Sequence, residues 1–201
     1  NFGQSLNAFH QESTSNAVFK TNEVLEKIQK YIIFLKKYDV NNSSLEFISE
    51  ALKEFSGTEY KTSIVKNIKG IDIRQILINE NFQCCVMDPG KITKNYIEVD
   101  LARFIVTCRI LYWGTLGILL KLKPSRRYED NFMSGYNSLN FFSQKALNIM
   151  IVKEFFKHWK MAHLSLERKK WPKLLKLFLR KFYVDSFYKY LISNELQELS
   201  K

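Results

Sequence analysis

Glycine and proline are scarce: seven and three in 201 residues. Long irregular connections and all-β folds use more of both, so the scarcity points to helices with short links. Cysteine is scarce too. Cys84, Cys85 and Cys108 are odd in number and lack framework spacing. They exclude a disulfide scaffold and fit a reducing compartment. Of the three histidines, His158 and His163 are five apart, about 140° around a helix, and no HExxH or CxxC is present. A self-contained zinc site is therefore not expected. No glycine-rich phosphate loop is found. The polar start, NFGQSLNAFHQESTSN, carries no secretory signal, so the expectation is a nuclear or cytoplasmic chain that is not secreted. Within the most apolar stretch, 95–123, the longest uncharged run is Ile110 to Leu120, 11 residues. A bilayer span needs about 20, so no membrane is expected as a partner.

What is present is a core. Hydrophobic residues make up 46% of the chain and aromatics 14%, which excludes a mainly disordered protein. From Phe104 to Leu120 only Arg109 is charged. A helix apolar on nearly every face must be surrounded, and this stretch reads as a buried central helix. Gly114 and Gly117 allow a close backbone approach there, and Pro124 ends it.

Other helices follow from spacing. Val24, Ile28, Tyr31, Leu35 and Tyr38 form one stripe over about 22–38. Ser43 to Glu46 reads as a capping box, opening a helix that Gly57 stops. Tyr60, Ile64, Val65 and Ile68 suggest a third helix, ended by Gly70, and Asp72 caps a fourth through Ile76 and Leu77. Residues 79–93, with the turn Asp88-Pro89-Gly90, read as irregular. Phe132, Tyr136, Leu139, Phe142 and Ala146 continue helical spacing to about Trp159, with a bend near Ser138. Pro172 opens a last long helix, with Leu174, Leu175, Phe178, Phe182 and Phe187 as its apolar side and Lys173, Lys176, Arg180 and Lys181 on the opposite side. The expected fold is all-α: a single-domain bundle of eight to nine helices, residues 21–201, preceded by an arm, residues 1–20.

Charge is uneven. Residues 1–100 hold 12 Lys+Arg against 13 Asp+Glu, and residues 101–201 hold 19 against 7. Such asymmetry points to an acidic partner for the second half, or to a solvated basic face. Lys169, Lys170, Lys173, Lys176 and Arg180 are the candidates for nucleic-acid contact, with Trp171 interleaved. No helix-turn-helix signature accompanies them.

Chemistry is not legible. Cys108 is expected buried and inert, and no neighbour visibly activates Cys84 or Cys85. The chain is expected not to be an enzyme. Phe2, Leu6, Phe9, Val18 and Phe19 are more apolar anchors than a polar arm needs. They are expected to dock on a partner or on the chain itself. His10, on the same arm, is the candidate to complete a zinc site shared with a partner.

Length, helix count, the long central helix and the lack of catalytic residues resemble the TRF-homology class of telomere proteins. Helices beginning at Asn22, Ser43, Asn95 and Ser138 would form that bundle. The resemblance implies a nuclear, dimer-capable adaptor of shelterin type, a scaffold that binds short segments of partner proteins. The alternative is a basic helical nucleic-acid-binding protein.

Overall fold

Residues Glu59–Ile68, EYKTSIVKNI, decide the fold class, and they form a strand. The computed structural model runs α1 (Phe2–Gln11), β1 (Ser15–Lys20), α2 (Thr21–Lys36), α3 (Asn42–Lys53), β2 (Glu59–Ile68), β3 (Ile76–Ile78), β4 (Cys84–Val86) and β5 (Ile92–Tyr96). Then come α4 (Glu98–Leu119), α5 (Arg127–Tyr136), α6 (Gln144–Arg168), α7 (Lys173–Phe178) and α8 (Ser186–Leu199). A 3-10 turn at Ile73–Gln75 precedes β3, and a π-helical stretch at Leu179–Asp185 joins α7 to α8. The structure describes residues 2–38, 40, 42–81, 83–87, 89–119, 126–136 and 142–200, with backbone alone over 112–119. The readings placed on Asp88, Pro124, Ser138 and Leu139 lie outside the residues so described, and of Gly114 and Gly117 only the helical backbone is described.

The all-helical bundle is therefore corrected to a mixed α/β fold. β2 lies between β1 and β5 in a three-stranded sheet, and β3 pairs with β4. β2 and β5 are antiparallel, with Ile64 opposite Tyr96 and Ile68 opposite Ile92. The physical reason is in β2 itself. Thr62, Ile64, Val65 and Ile68 are β-branched, which suits a pleated surface better than a helix. Thr62 and Ser63, and Asn67 and Ile68, are buried as adjacent pairs. A strand covered on both faces loses the period of two that would have announced it. The expected fourth helix is the 3-10 turn and β3, and the expected irregular segment holds β4 and the start of β5.

The chain forms two compact units, Asn1–Phe19 with Glu59–Leu147, and Lys20–Thr58 with Asn148–Lys201. In the first, α1 packs backbone to backbone on α5. A Cβ at Gly3 would lie 2.2 Å from the Phe132 carbonyl oxygen. The Phe2 ring stacks near Phe132 at 5.9 Å and lies 5.1 Å from Phe104, which lies 4.1 Å from Phe132. Within α4, Phe104, Ile105, Val106 and Cys108 are buried, but Leu111 is half exposed. The expectation that Leu111 belongs to the core is corrected on that ground.

In the second unit, α2 buries Val24, Ile28, Ile32 and Leu35, and α3 buries Leu45, Ile48 and Leu52. Both stripes follow the expected helical spacing. The Thr21 hydroxyl oxygen lies 2.7 Å from the Phe55 carbonyl and 2.8 Å from that of Thr58, tying the start of α2 to the chain beyond α3. Gly57, at φ +74°, makes that return possible. Phe155, Phe156 and Trp159 of α6 are fully buried, as is Ile192 of α8.

Candidate functional site

α6 ends at Arg168, and Pro172, which has no N–H to donate, precedes α7. From Lys173 to Leu199 the backbone then stays helical through α7, the π-helical stretch and α8. The first half of this run is two-sided. Leu174, Phe178 and Phe182 fall at i, i+4 and i+8, with Trp171 and Leu175 beside them, and Lys173, Lys176 and Arg180 lie on the far side. Such a helix ordinarily turns its apolar side inward. Here the opposite holds.

The inward contacts come from the basic side. The Arg180 guanidinium lies over the Tyr38 ring, 5.0 Å from its centroid, and pairs with the Glu167 carboxylate. Lys176 Nζ donates to the Glu167 carbonyl at 2.9 Å. Below them, buried Asp185 accepts from Trp159 Nε1 and from His163 Nε2, both at 2.8 Å. Tyr38 also packs on the His163 ring, with centroids 5.1 Å apart. These ties hold the run by its polar side and by Asp185.

The apolar side faces solvent. Leu174 is 81% exposed, Phe182 66% and Phe178 57%, and Trp171, Leu175 and Leu177 are each above 40%. The Phe178 and Phe182 rings are 5.0 Å apart, so the patch is continuous. Lys169, Lys170, Lys173 and Lys181 are exposed in the same stretch, and Lys169 Nζ lies 5.9 Å from the Trp171 ring centre. No Asp or Glu occurs between Glu167 and Asp185. Contiguous exposed apolar surface rimmed by charge marks an interaction site. The sequence reading named Lys169, Lys170, Lys173, Lys176 and Arg180, and set Leu174, Phe178 and Phe182 on the apolar side of the helix without giving them a role in binding. The only sequence signal for their role is the acid-free run after a proline.

The other candidate residues lie elsewhere. Leu6 and Phe19 are fully buried, Phe2 and Phe9 are half-buried, and Val18 is exposed on β1. Phe19 packs against Tyr96 at 5.1 Å within the sheet. His10 is fully buried, its Nδ1 2.6 Å from Tyr136 Oη and its Nε2 3.4 Å from Asp100 Oδ2. A proton on Nε2 satisfies both, with Tyr136 donating to Nδ1. Asp100 Oδ2 also accepts from the Ile68 amide at 2.8 Å. The His10 ring thus ties α1 to α4, α5 and β2, and a metal would have to displace these bonds. Among the described residues no group of three or more His, Cys, Asp or Glu is placed to hold a metal ion.

The Tyr136–His10–Asp100 line has the order of an acid–base relay, but each member is fully buried, so no substrate reaches it. Glu98, also fully buried, accepts from Thr62 Oγ1 at 2.6 Å and from the Ser143 amide at 3.2 Å. Burial pushes its carboxyl up, against these hydrogen bonds. Cys108 is buried, and burial, then Glu129, pushes its thiol up to about 12. Cys85 is exposed on β4 and Cys84 half-buried. Glu154 is a buried anion: burial opposes its charge, but Lys153 and Lys157 outweigh it and hold the carboxyl at about 2. It serves as the pivot of an ion cluster on α6.

A comparison with protein-family models gives no match for this chain, and a comparison with curated proteins gives none either.

Proposed function

We propose that this protein is a non-enzymatic adaptor that attaches to an anionic partner surface through the exposed face of residues 171–182. The observation that carries the reading is the inverted helix: basic Lys176 and Arg180 are spent on internal ties, while Leu174, Phe178 and Phe182 face solvent. Exposing this much apolar area is unfavourable by about 25 cal/mol per Å², which a partner covering it would recover. The ring of lysines gives that partner its sign. The reading keeps the adaptor role expected from the sequence and moves its binding element from the N-terminal arm to this face. It draws nothing from the telomere-protein resemblance.

The test uses 1-anilinonaphthalene-8-sulfonate, an aromatic anion that suits an apolar face rimmed by lysine. Its emission should rise with the native chain and fall by at least half for L174N/F178N/F182N, with the circular dichroism spectrum unchanged. Equal emission from the chain and the triple variant would remove this face as the binding element.

A further inference from the structure

We infer that the occupant of this face is the interfacial zone of an anionic lipid bilayer, an inference that rests on the docking reading above. Four kinds of surface could cover an apolar, cationic helix: a second copy, a protein groove, a nucleic acid or a membrane. Charge and side-chain chemistry favour the last.

A second copy would bring two lysine-rich faces together, in a molecule of net charge +11. Like charges facing each other oppose such a contact. A protein groove would seat the apolar side through anchors spaced i, i+4 and i+8, and would need an acidic rim to match the lysines; the polyglutamate arm of the test below separates it from a bilayer. A nucleic acid is held by cations on its phosphates and by rings on its bases. Such a ligand would use the lysines and rings of this face but gain nothing from Leu174, Leu175 and Leu177, which are exposed with them.

A bilayer interface meets each feature. It approaches from one side, so the closed basic side is no obstacle. It accepts Leu and Phe into the acyl boundary and holds Trp at the headgroup level, and Trp171 stands at the start of the face. Lysines around such a face extend their ammonium groups to anionic headgroups while their stems lie along apolar surface. Attachment of this kind needs no crossing segment, and no helix of the described residues is long and apolar enough to cross a membrane. A bilayer occupant departs from the expectation that no membrane is a partner; that expectation rested on the missing span, and a helix lying in the interface needs none.

The experiment is co-sedimentation of the full chain with two vesicle types, phosphatidylcholine alone and phosphatidylcholine with about 30% phosphatidylserine. Brominated acyl chains serve as a depth probe for Trp171. The expected result is partitioning at least tenfold stronger to the anionic vesicles, weakening with salt, with tryptophan quenching that W171F reduces. L174N/F178N/F182N should lose binding at least tenfold on both vesicle types. K169Q/K170Q/K173Q/K181Q should lose only the preference for anionic lipid. All these positions are exposed, and unchanged melting curves establish that the variants fold. Polyglutamate, double-stranded DNA and size-exclusion chromatography distinguish the other occupants. No vesicle binding, but polyglutamate or DNA binding lost in both variants, overturns the lipid inference and leaves the docking reading standing. Self-association abolished by the triple Asn variant does the same in favour of a second copy. If the variants change none of these readouts, both fall.

Discussion

Replacing Glu154 by Gln should cost stability at neutral pH and progressively less in acid. Glu154 is fully buried on α6, yet it keeps its charge. Lys153 Nζ bonds one carboxylate oxygen, and Lys157 Nζ donates to the other at 2.8 Å. Burial raises the carboxyl pKa and the two lysines lower it, with a net result of about 2 against an ordinary 4.5. At about 1.36 kcal/mol per unit, that is on the order of 3 kcal/mol of stability. The group is depressed in the folded state, so its contribution is complete above the unfolded value and fades as pH falls through the folded one. The window is therefore about pH 4.5 down to about 2. By pH 3 roughly 2 of those ~3 kcal/mol are gone.

The assay is urea unfolding of the native chain and E154Q at several pH values from 7 to 3. The stability gap should be on the order of 3 kcal/mol at pH 7 and near 1 at pH 3. Tyr31 gives an internal control. Burial raises its hydroxyl pKa first and Glu154 adds to it, so E154Q should lower the Tyr31 value. A gap independent of pH would refute the buried-anion account, because a lost packing contact does not titrate.

Three further outcomes are expected. F104A should cost on the order of 3 kcal/mol in urea unfolding, and L111A well under half of that, since Leu111 is half exposed; equal costs would mean α4 is buried along its length. G3A should destabilise by about 1–3 kcal/mol, because its Cβ would meet the Phe132 carbonyl at 2.2 Å and the Tyr136 amide nitrogen at 2.7 Å; a G3A melting curve matching the native one would disprove the α1–α5 approach. Ellman's reagent at pH 8 should label Cys85 in the folded chain and Cys108 only after unfolding, its thiol held at about 12; native labelling of Cys108 at the rate of Cys85 would contradict its burial.

The helices were legible where one face alone is buried. Val24, Ile28 and Leu35 of α2 and Leu45, Ile48 and Leu52 of α3 are buried at the expected positions. The sheet was not legible, for two reasons. β2 is covered on both faces over its second half, so its apolar residues do not alternate. Tyr60, Ile64, Val65 and Ile68 then coincide with a helical stripe, and period alone cannot separate a short buried strand from a short buried helix. The signal that was available is β-branching, with Thr62, Ile64, Val65 and Ile68 inside ten residues. β3 and β4 have three residues each, too few for any period.

The candidate site was missed for a different reason. The spacing of Leu174, Phe178 and Phe182 correctly implies one apolar side and one basic side, but periodicity carries no direction. A core normally supplies the direction, because burying the apolar side is the larger gain. In this helix, internal ties from the basic side oppose that default. Arg180 has a ring in Tyr38 and a carboxylate in Glu167, Lys176 has a carbonyl, and Asp185 holds the far end through Trp159 and His163. Their partners lie on α6 or just beyond α2, up to 142 residues away in sequence, so no local pattern reveals them. The Lys176 and Arg180 bonds to Glu167 are solvent-exposed and worth about 0–1 kcal/mol each, while those of Asp185 are buried. Together they fix which side of the run is tied down, and a covering surface then adds its own gain without a conformational change to oppose it.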